Sequence, residues 1–467
     1  MKFKFENLGP IKSANLELGD LTIICGDNNT GKTYISYAIY GFLNNYQDYL
    51  KADKNLVEKI TTGLDENNGE FSIPLNKIIG KSNGVYLDTS RFSKSIQDIF
   101  SCPEEYFDDF KFEFTGKFPE IKTGYSDFKE EYLAKIQWDE EKWISLGITN
   151  DNKILTVKCH GSKDFHSIGM PVKLFSTVLG NVFGNILMSK PFPKCHISTS
   201  ERLSISLFYK ELDEHRNVLV DTLQNMIGKE KRKNIIDPFE MVKKAAARYA
   251  VPIKDNINSA RNMDVSRKKL GSFIKENPSI DRYMRNMIDG RFFHDGNEIF
   301  FKSRHKKNPL TIPLYLGSAS LRSLSDIFLY LRHIAKPGDM LIIDEPETNL
   351  SAQNQVKMTR FLSILINAGM KIIITTHSDY IVREFTNLIM LNNDFSDKDS
   401  FRKNFKYSDE EFLDHRKVKA YQAIDGKVLP CPVDNRGIVM KLFDKEIERQ
   451  NQVVEELDFI LDGMNHG

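Results

Sequence analysis

Residues Gly26 to Thr33 read G-D-N-N-T-G-K-T, which is the phosphate-binding pattern G-x-x-x-x-G-K-[ST] without a mismatch. The residue types match the chemistry. Gly26 and Gly31 permit a tight turn and close approach of the backbone to a ligand. The N–H groups of the loop, those of Asn28, Asn29 and Thr30 included, and the N-terminus of the helix that follows then face a β-phosphate. Lys32 reaches the β- and γ-phosphates, and Thr33 offers a hydroxyl to Mg2+. The flanks supply the context this loop needs. "LTIICG" before it is an apolar, β-rich run, and "TYISYAIYGFLNN" after it carries Ile35, Ala38, Ile39, Phe42 and Leu43 at helical spacing.

Three segments more than 280 residues further on could complete a hydrolytic site. "MLIIDEPETNL" (340–350) is a buried strand with two carboxylates at its end. Asp344 would join the metal shell and Glu345 would orient or deprotonate an attacking water, since cleavage of a γ-phosphate needs both metal and water placed. "KIIITTHSDYIV" is a second buried strand, ending in Thr375, Thr376 and His377. A histidine at the end of a neighbouring parallel strand can bond the γ-phosphate or the water. "YLGSASLRSLSDIFLYLRHIA" places Gly317, Ser318, Ala319 and Ser320 ahead of a Leu-rich helix, whose N–H groups and hydroxyls suit an anion. An ordinary serine N-cap would leave the same trace.

The remaining chain must position these groups. "MKFKFENLGPIKSANLELGD" alternates like strands, with turns at Gly9-Pro10 and Gly19-Asp20, and reads as a small antiparallel sheet feeding the strand before the loop. Residues 1–100 are expected to form the first part of an α/β head that carries the phosphate loop, 101–295 a mainly helical insertion or arm, and 296–467 the second part of the head, in α/β rhythm to about residue 392. Hairpins are expected around Asp295-Gly296 and Asp425-Gly426, and a final amphipathic helix in "IVMKLFDKEIERQNQVVEELDFIL". From Lys229 to Glu276 there are 13 Lys/Arg against 6 Asp/Glu. Such a run suits DNA, RNA or another phosphate-rich partner, and equally a solvated helical arm.

With 467 residues, 40% of them hydrophobic, the chain can build one to three domains. With a net charge of +1, no whole-protein basic bias argues for nucleic acid, and five cysteines without a C-x-x-C pair suggest neither a zinc site nor a disulfide framework. "MKFKFENLG" does not have the form of a signal peptide, and no run of 18 apolar residues exists, so a cytoplasmic protein without a membrane segment is expected.

The phosphate loop, the serine segment, D-E-P-E-T-N-L and the strand-end histidine, in that order, resemble the ATP-binding-cassette type of P-loop ATPase, in the branch that includes SMC, RecF and the overcoming-lysogenization-defect proteins. The resemblance covers about 1–50 and 300–390. It implies an α/β head with a mixed sheet and antiparallel N-terminal strands, ATP and Mg2+ as cofactors, and two heads sandwiching two ATPs. Lys32, Thr33, Asp344, Glu345 and His377 would then act within one head, and Ser318 or Ser320 on the nucleotide of the other. Asn349 and Leu350 would fall in the loop that crosses the interface. Two departures stand out: "GSAS" lacks the paired glycines of the family signature, and the Q-loop position falls either on "ISTSERLS", with Ser200, Glu201 and Arg202, or on "LDTSRFS", with Arg91. About 75 residues follow Asn392, and they show no acidic cluster of the kind a Toprim nuclease carries.

Proteins of this design resemble the ATPase subunits of bacterial anti-phage systems, the Septu ATPase with its separate HNH nuclease among them. That implies a homo-oligomer with an effector bound in trans. Two other readings remain open at this level. One is a RecF- or SMC-like ATPase acting directly on DNA, although no heptad repeat is sustained over three or four heptads. The other is a stand-alone NTPase with a regulatory partner.

Overall fold

The computed structural model describes residues 1–74, 85–116, 134–138, 141–149, 154–187, 192–208, 249–266, 269–295, 298–304, 307 and 309–465. These fall into two compact units. The first comprises Met1–Gly41, Ser95–Phe114 and Lys194–Gly467, and the second Phe42–Lys94 and Thr115–Pro193. Residues 209–248, which hold seven of the thirteen Lys/Arg of the basic run, lie outside the described residues.

The first unit is organised by a nine-stranded sheet. In chain order its strands are β1 (Lys2–Leu8), β2 (Ile11–Glu17), β3 (Leu21–Gly26), β4 (Lys111–Thr115), β5 (Cys195–Ser198), β6 (Met340–Asp344), β7 (Lys371–Thr376), β8 (Val418–Ile424) and β9 (Lys427–Cys431). They lie in the order β5-β6-β7-β3-β8-β9-β2-β1-β4. The central pairs β5–β6, β6–β7, β7–β3 and β3–β8 are parallel, whereas β1–β2 and β8–β9 are antiparallel. The burial patterns follow from this. All six residues of β3 and all five of β6 are buried, as expected for strands covered on both faces, whereas β1 and β2 bury mainly Phe3, Phe5, Leu8, Ile11, Ala14 and Leu16. Asp425 and Gly426 both take positive φ at the β8–β9 turn, the geometry a two-residue hairpin with right-handed strand twist requires.

The helices of this unit include α1 (Lys32–Asn45), α2 (Arg202–Phe208), α3 (Ala319–His333), α4 (Ala352–Asn367), α5 (Asp379–Leu391), α6 (Lys398–Phe405) and α7 (Lys441–Asn465). Phe328 and Leu331 of α3, Phe361 and Leu365 of α4, and Phe385 of α5 share one buried cluster with Ile23, Ile343 and Ile374 of the central strands. The mixed α/β sheet with antiparallel N-terminal strands is the fold class expected for a P-loop head. A hairpin pairs Gly290–Asp295 with Glu298–Ser303, flanking the expected turn.

The second unit has its own core. The strands Glu70–Pro74, Ile154–His160, Trp143–Thr149 and Ala134–Gln137 form an antiparallel sheet in that order. Leu56, Ile60 and Leu64 from the helix Lys54–Glu66, and Phe175 and Leu179 from Val172–Leu187, pack with Leu146 and Val157 of the sheet. None of the described helices is long and apolar enough to cross a membrane.

Candidate active site

Three adjacent parallel strands deliver the chemistry-bearing residues to one edge of the sheet. β3 runs directly into the loop Gly26–Thr33, β6 ends at Asp344, and β7 lies between them and ends at Thr376, just before His377. The register places Asp344 opposite Thr375, and Thr376 opposite Cys25. β3 and β6 are buried throughout and β7 is buried from Ile372 onward, and polar side chains of these strands meet at this edge.

The loop has the form of a cradle. Asn29 and Gly31 take φ of 62° and 88°, a left-handed geometry that turns successive N–H groups to one side. A Cβ at Gly26 would stand 2.7 Å from Ala423 O and from Thr30 Oγ1, so no larger residue fits there. Thr30 Oγ1 donates to Asp27 O at 2.8 Å. Lys32 is 6% exposed, and its ammonium donates to Gly26 O at 2.8 Å and to Asp27 O at 2.7 Å. It spans the loop from within. Asn28 is exposed.

Thr33 and Asp344 meet across 311 positions of sequence, with Thr33 Oγ1 donating to Asp344 Oδ2 at 2.9 Å. Thr375 Oγ1 donates to the other carboxylate oxygen. Burial pushes the Asp344 carboxyl up to about 6, with the Thr375 and Thr33 hydroxyls opposing and the neighbouring carboxylates Glu345 and Glu201 adding to the rise. A bound cation would reverse that cost. The donors fit Mg2+: they are hard oxygens, and two of them leave room for phosphate and water oxygens. Among the described residues no cluster of three His, Cys, Asp or Glu side chains offers a self-sufficient metal site, as expected where substrate phosphates complete the shell.

Glu345 follows with φ at 51°, a conformation uncommon outside glycine, and its N–H donates to Thr375 O at 3.0 Å. Its carboxylate accepts from Thr348 Oγ1 at 3.4 Å and lies 3.5 Å from His377 Nδ1. The strained backbone turns this carboxylate away from the strand and toward the histidine.

Two residues that sequence reading left without a role hold this arrangement. Glu347 is 6% exposed; its Oε1 accepts from Thr376 Oγ1 and from the His377 N–H, both at 2.7 Å, and lies 3.3 Å from His377 Nδ1. Thr375 braces Asp344 and receives the Glu345 N–H. The only sequence trace of Glu347 was its place as the third acid of D-E-P-E.

Arg202, one of the two Q-loop candidates, is 2% exposed. It donates to Asp344 O at 2.7 Å, Glu345 O at 2.6 Å, Thr199 O at 3.0 Å and Ser323 Oγ at 2.9 Å. Ser323 lies on α3 and donates onward to Thr348 O. Burial pulls the guanidinium pKa down, and Asp344 is the first of the acids opposing it. Glu201 accepts from Tyr37 OH at 3.3 Å, and Ser200 makes the turn before α2. Arg91, the other candidate, belongs to the second unit. Arg202→Leu is expected to lower stability by about 2–5 kcal/mol, because four acceptors lose a buried cation. Arg202→Lys should recover only part of this, since one ammonium cannot reproduce the planar fork. Urea titration of both variants measures the difference.

Ser318 caps α3, accepting from the Leu321 N–H at 3.3 Å, and its Oγ lies 2.9 Å from Ser320 Oγ. Ser318 is exposed and Ser320 half-buried. Among the described residues neither serine side chain has a hydrogen bond to the loop, the acids or His377. The structure therefore groups Gly26–Thr33, Asp344, Glu345 and His377, and leaves the two serines apart at a helix start. Asn349, with φ at 61°, and Leu350, buried, close the turn after the acids.

A family model described as an AAA ATPase domain matches residues 1–382. Among solved structures, the SMC head domain from Thermotoga maritima is 12% identical with a TM-score of 0.29, covering 93% of this chain and 98% of that one. The Smc head domain with an extended coiled coil bound to the C-terminal domain of ScpA, from Pyrococcus furiosus, is also 12% identical with a TM-score of 0.29, covering 98% of each chain. No curated protein matches the chain. The domain match spans both halves of the site, from the loop on β3 to the strand-end histidine; the chain belongs to the AAA ATPase domain family, and it is an ATPase.

Proposed function

We propose that two heads close on ATP and that the closed state controls a separate effector, a nuclease of HNH type, in bacterial anti-phage defence within the cytoplasm. The observation that carries the catalytic half of this reading is the cluster at the strand ends, with Thr33 on Asp344 at 2.9 Å and Glu345 3.5 Å from His377. In it Lys32 and the loop N–H groups hold the β- and γ-phosphates. Thr33 and Asp344 hold Mg2+, which when bound neutralises phosphate charge. Glu345 takes a proton from the attacking water, and His377 bonds the γ-phosphate side of the site. Glu347 keeps His377 in place through its backbone N–H.

The dimeric half of the reading is supported by the two serines. Ser318 caps an exposed helix start, its hydroxyl lies against that of Ser320, and among the described residues neither bonds its own chain's loop. A hydroxyl pair at a helix N-terminus suits the γ-phosphate of a second head's ATP. The effector is assigned by resemblance to anti-phage ATPases.

The test combines two inactive variants. Ser318→Arg with Ser320→Arg should keep nucleotide binding and lose turnover, while Lys32→Ala should lose binding. Mixed, they form dimers with one site broken twice and one site intact, and ATPase activity should return to a measurable fraction of wild type. A mixture as inactive as its components, under conditions where subunit exchange is shown by a fluorescent label, would remove the shared site. Salt-sensitive binding of duplex DNA by this chain alone would favour direct action on DNA over a separate effector.

A further inference from the structure

Two apolar surfaces of the first unit remain uncovered, and neither is used by the ATPase site. The first is a groove of about 550 Å3 between the end of α5 and α6, lined by Met390, Leu391, Phe395, Phe401, Phe405 and Tyr407. Phe405 is 58% exposed and Met390 48%. Arg436 is the charged side chain in the lining. Arg436, Lys403 and Lys406 are exposed, and among the described residues they make no ion pair, whereas Arg402 is already committed to Asp399 and Asp409.

The second surface is the distal half of α7. Val453, Val454, Leu457, Ile460 and Leu461 recur at helical spacing and are 44–55% exposed. At about 100° per residue they form a stripe roughly 120° wide, with Glu456 on one border and Asp458 on the other. Every charged residue from Gln450 to Asn465 is acidic: Glu455, Glu456, Asp458 and Asp462.

The two surfaces complement each other, one an apolar helix stripe bordered by acids and the other an aromatic groove with uncommitted cations. This is the arrangement of a helix laid into a groove. The occupant cannot be the same chain's own helix. α7 starts just after Arg436, at the rim of the groove, and is continuous over its 25 residues. Its stripe begins about 18 Å along the axis from that root, and an unbroken helix does not fold back on its start.

We propose that the chain self-associates by docking the α7 stripe into the α5–α6 groove of a second copy. The contact joins two different patches. Two of them related by a two-fold axis close a dimer, and any other rotation gives a ring or an open chain. This association does not pass through the nucleotide site, so it persists without ATP.

Sedimentation equilibrium of the full chain without nucleotide tests the proposal. The wild type should associate reversibly, and Leu457→Asp with Ile460→Asp should weaken association by about tenfold or more, as should Phe405→Asp. Each variant's folding is checked by circular dichroism and by ATP binding. Charge reversal then identifies the partner surface. Glu456→Lys with Asp458→Lys, and separately Lys403→Glu with Arg436→Glu, should each weaken self-association, and mixing the two variants should restore it. A wild type that stays monomeric without nucleotide overturns the proposal. So does a groove variant that associates as the wild type does, which would mean that α7 pairs with another α7.

Discussion

Glu345→Gln is expected to bind ATP as the wild type does and to hydrolyse it about 10²- to 10⁴-fold more slowly, the range for loss of a general base. The substitution keeps the shape. A glutamine can still accept from Thr348 Oγ1, and the backbone at φ 51° is held by Thr375 and by Arg202 through main-chain atoms. What is lost is basicity at one atom, 3.5 Å from His377. Binding should be untouched, because in the proposed site the phosphates are held by the loop and by Lys32 at the start of α1, apart from Glu345 after the end of β6. Equilibrium binding of a fluorescent ATP analogue and single-turnover hydrolysis separate the two effects. Turnover at the wild-type rate would take Glu345 out of the water-activating role. If closure of two heads depends on ATP, the same variant should also accumulate the closed state, visible as an ATP-dependent rise in mass.

Lys32→Ala should lose ATP affinity by at least about 30-fold, the low end of 2–5 kcal/mol for truncating one partner of a buried charge-assisted contact. The ammonium has three donors, and two of them bond Gly26 O and Asp27 O. It shapes the cradle, and in the proposed site its remaining donor would face the phosphates. Alanine removes both functions, and the negative phosphates then meet only dipoles. Lys32→Met keeps most of the side-chain volume and removes the charge. It should bind ATP about as poorly as the alanine variant if charge dominates. Isothermal titration with ATP and Mg2+ gives both numbers. Retained affinity in the methionine variant would assign the binding to loop geometry alone.

The loop, the acids and the histidine were legible in the sequence because each is local. A strand, a tight turn and a helix within a dozen residues leave a complete trace in Gly26, Gly31, Lys32 and Thr33. An apolar run that stops at a carboxylate marks a strand end at Asp344, and another marks His377. Local pattern also predicted the hairpin turn at Asp425-Gly426 and the amphipathic character of α7.

What tied these pieces together was not local. Arg202 reaches Asp344 O across 142 positions and Ser323 across 121, and nothing in "TSERLS" distinguishes a buried fork from a surface arginine. Arg202 became singular only when packing removed water around it, because a buried guanidinium must spend its donors on whatever acceptors the fold brings near. Glu347 likewise reads as one more acid in a turn until β6 and β7 align and set it under the His377 N–H. The same holds for the groove and the α7 stripe: sequence shows apolar residues in both places, and only the tertiary structure leaves them uncovered. The sequence by itself determined which polar residue types stand at each strand end and the type of fold that carries them. The tertiary structure decided which distant side chains brace that chemistry and which surfaces stay open, since both depend on long-range packing that short-range patterns do not encode.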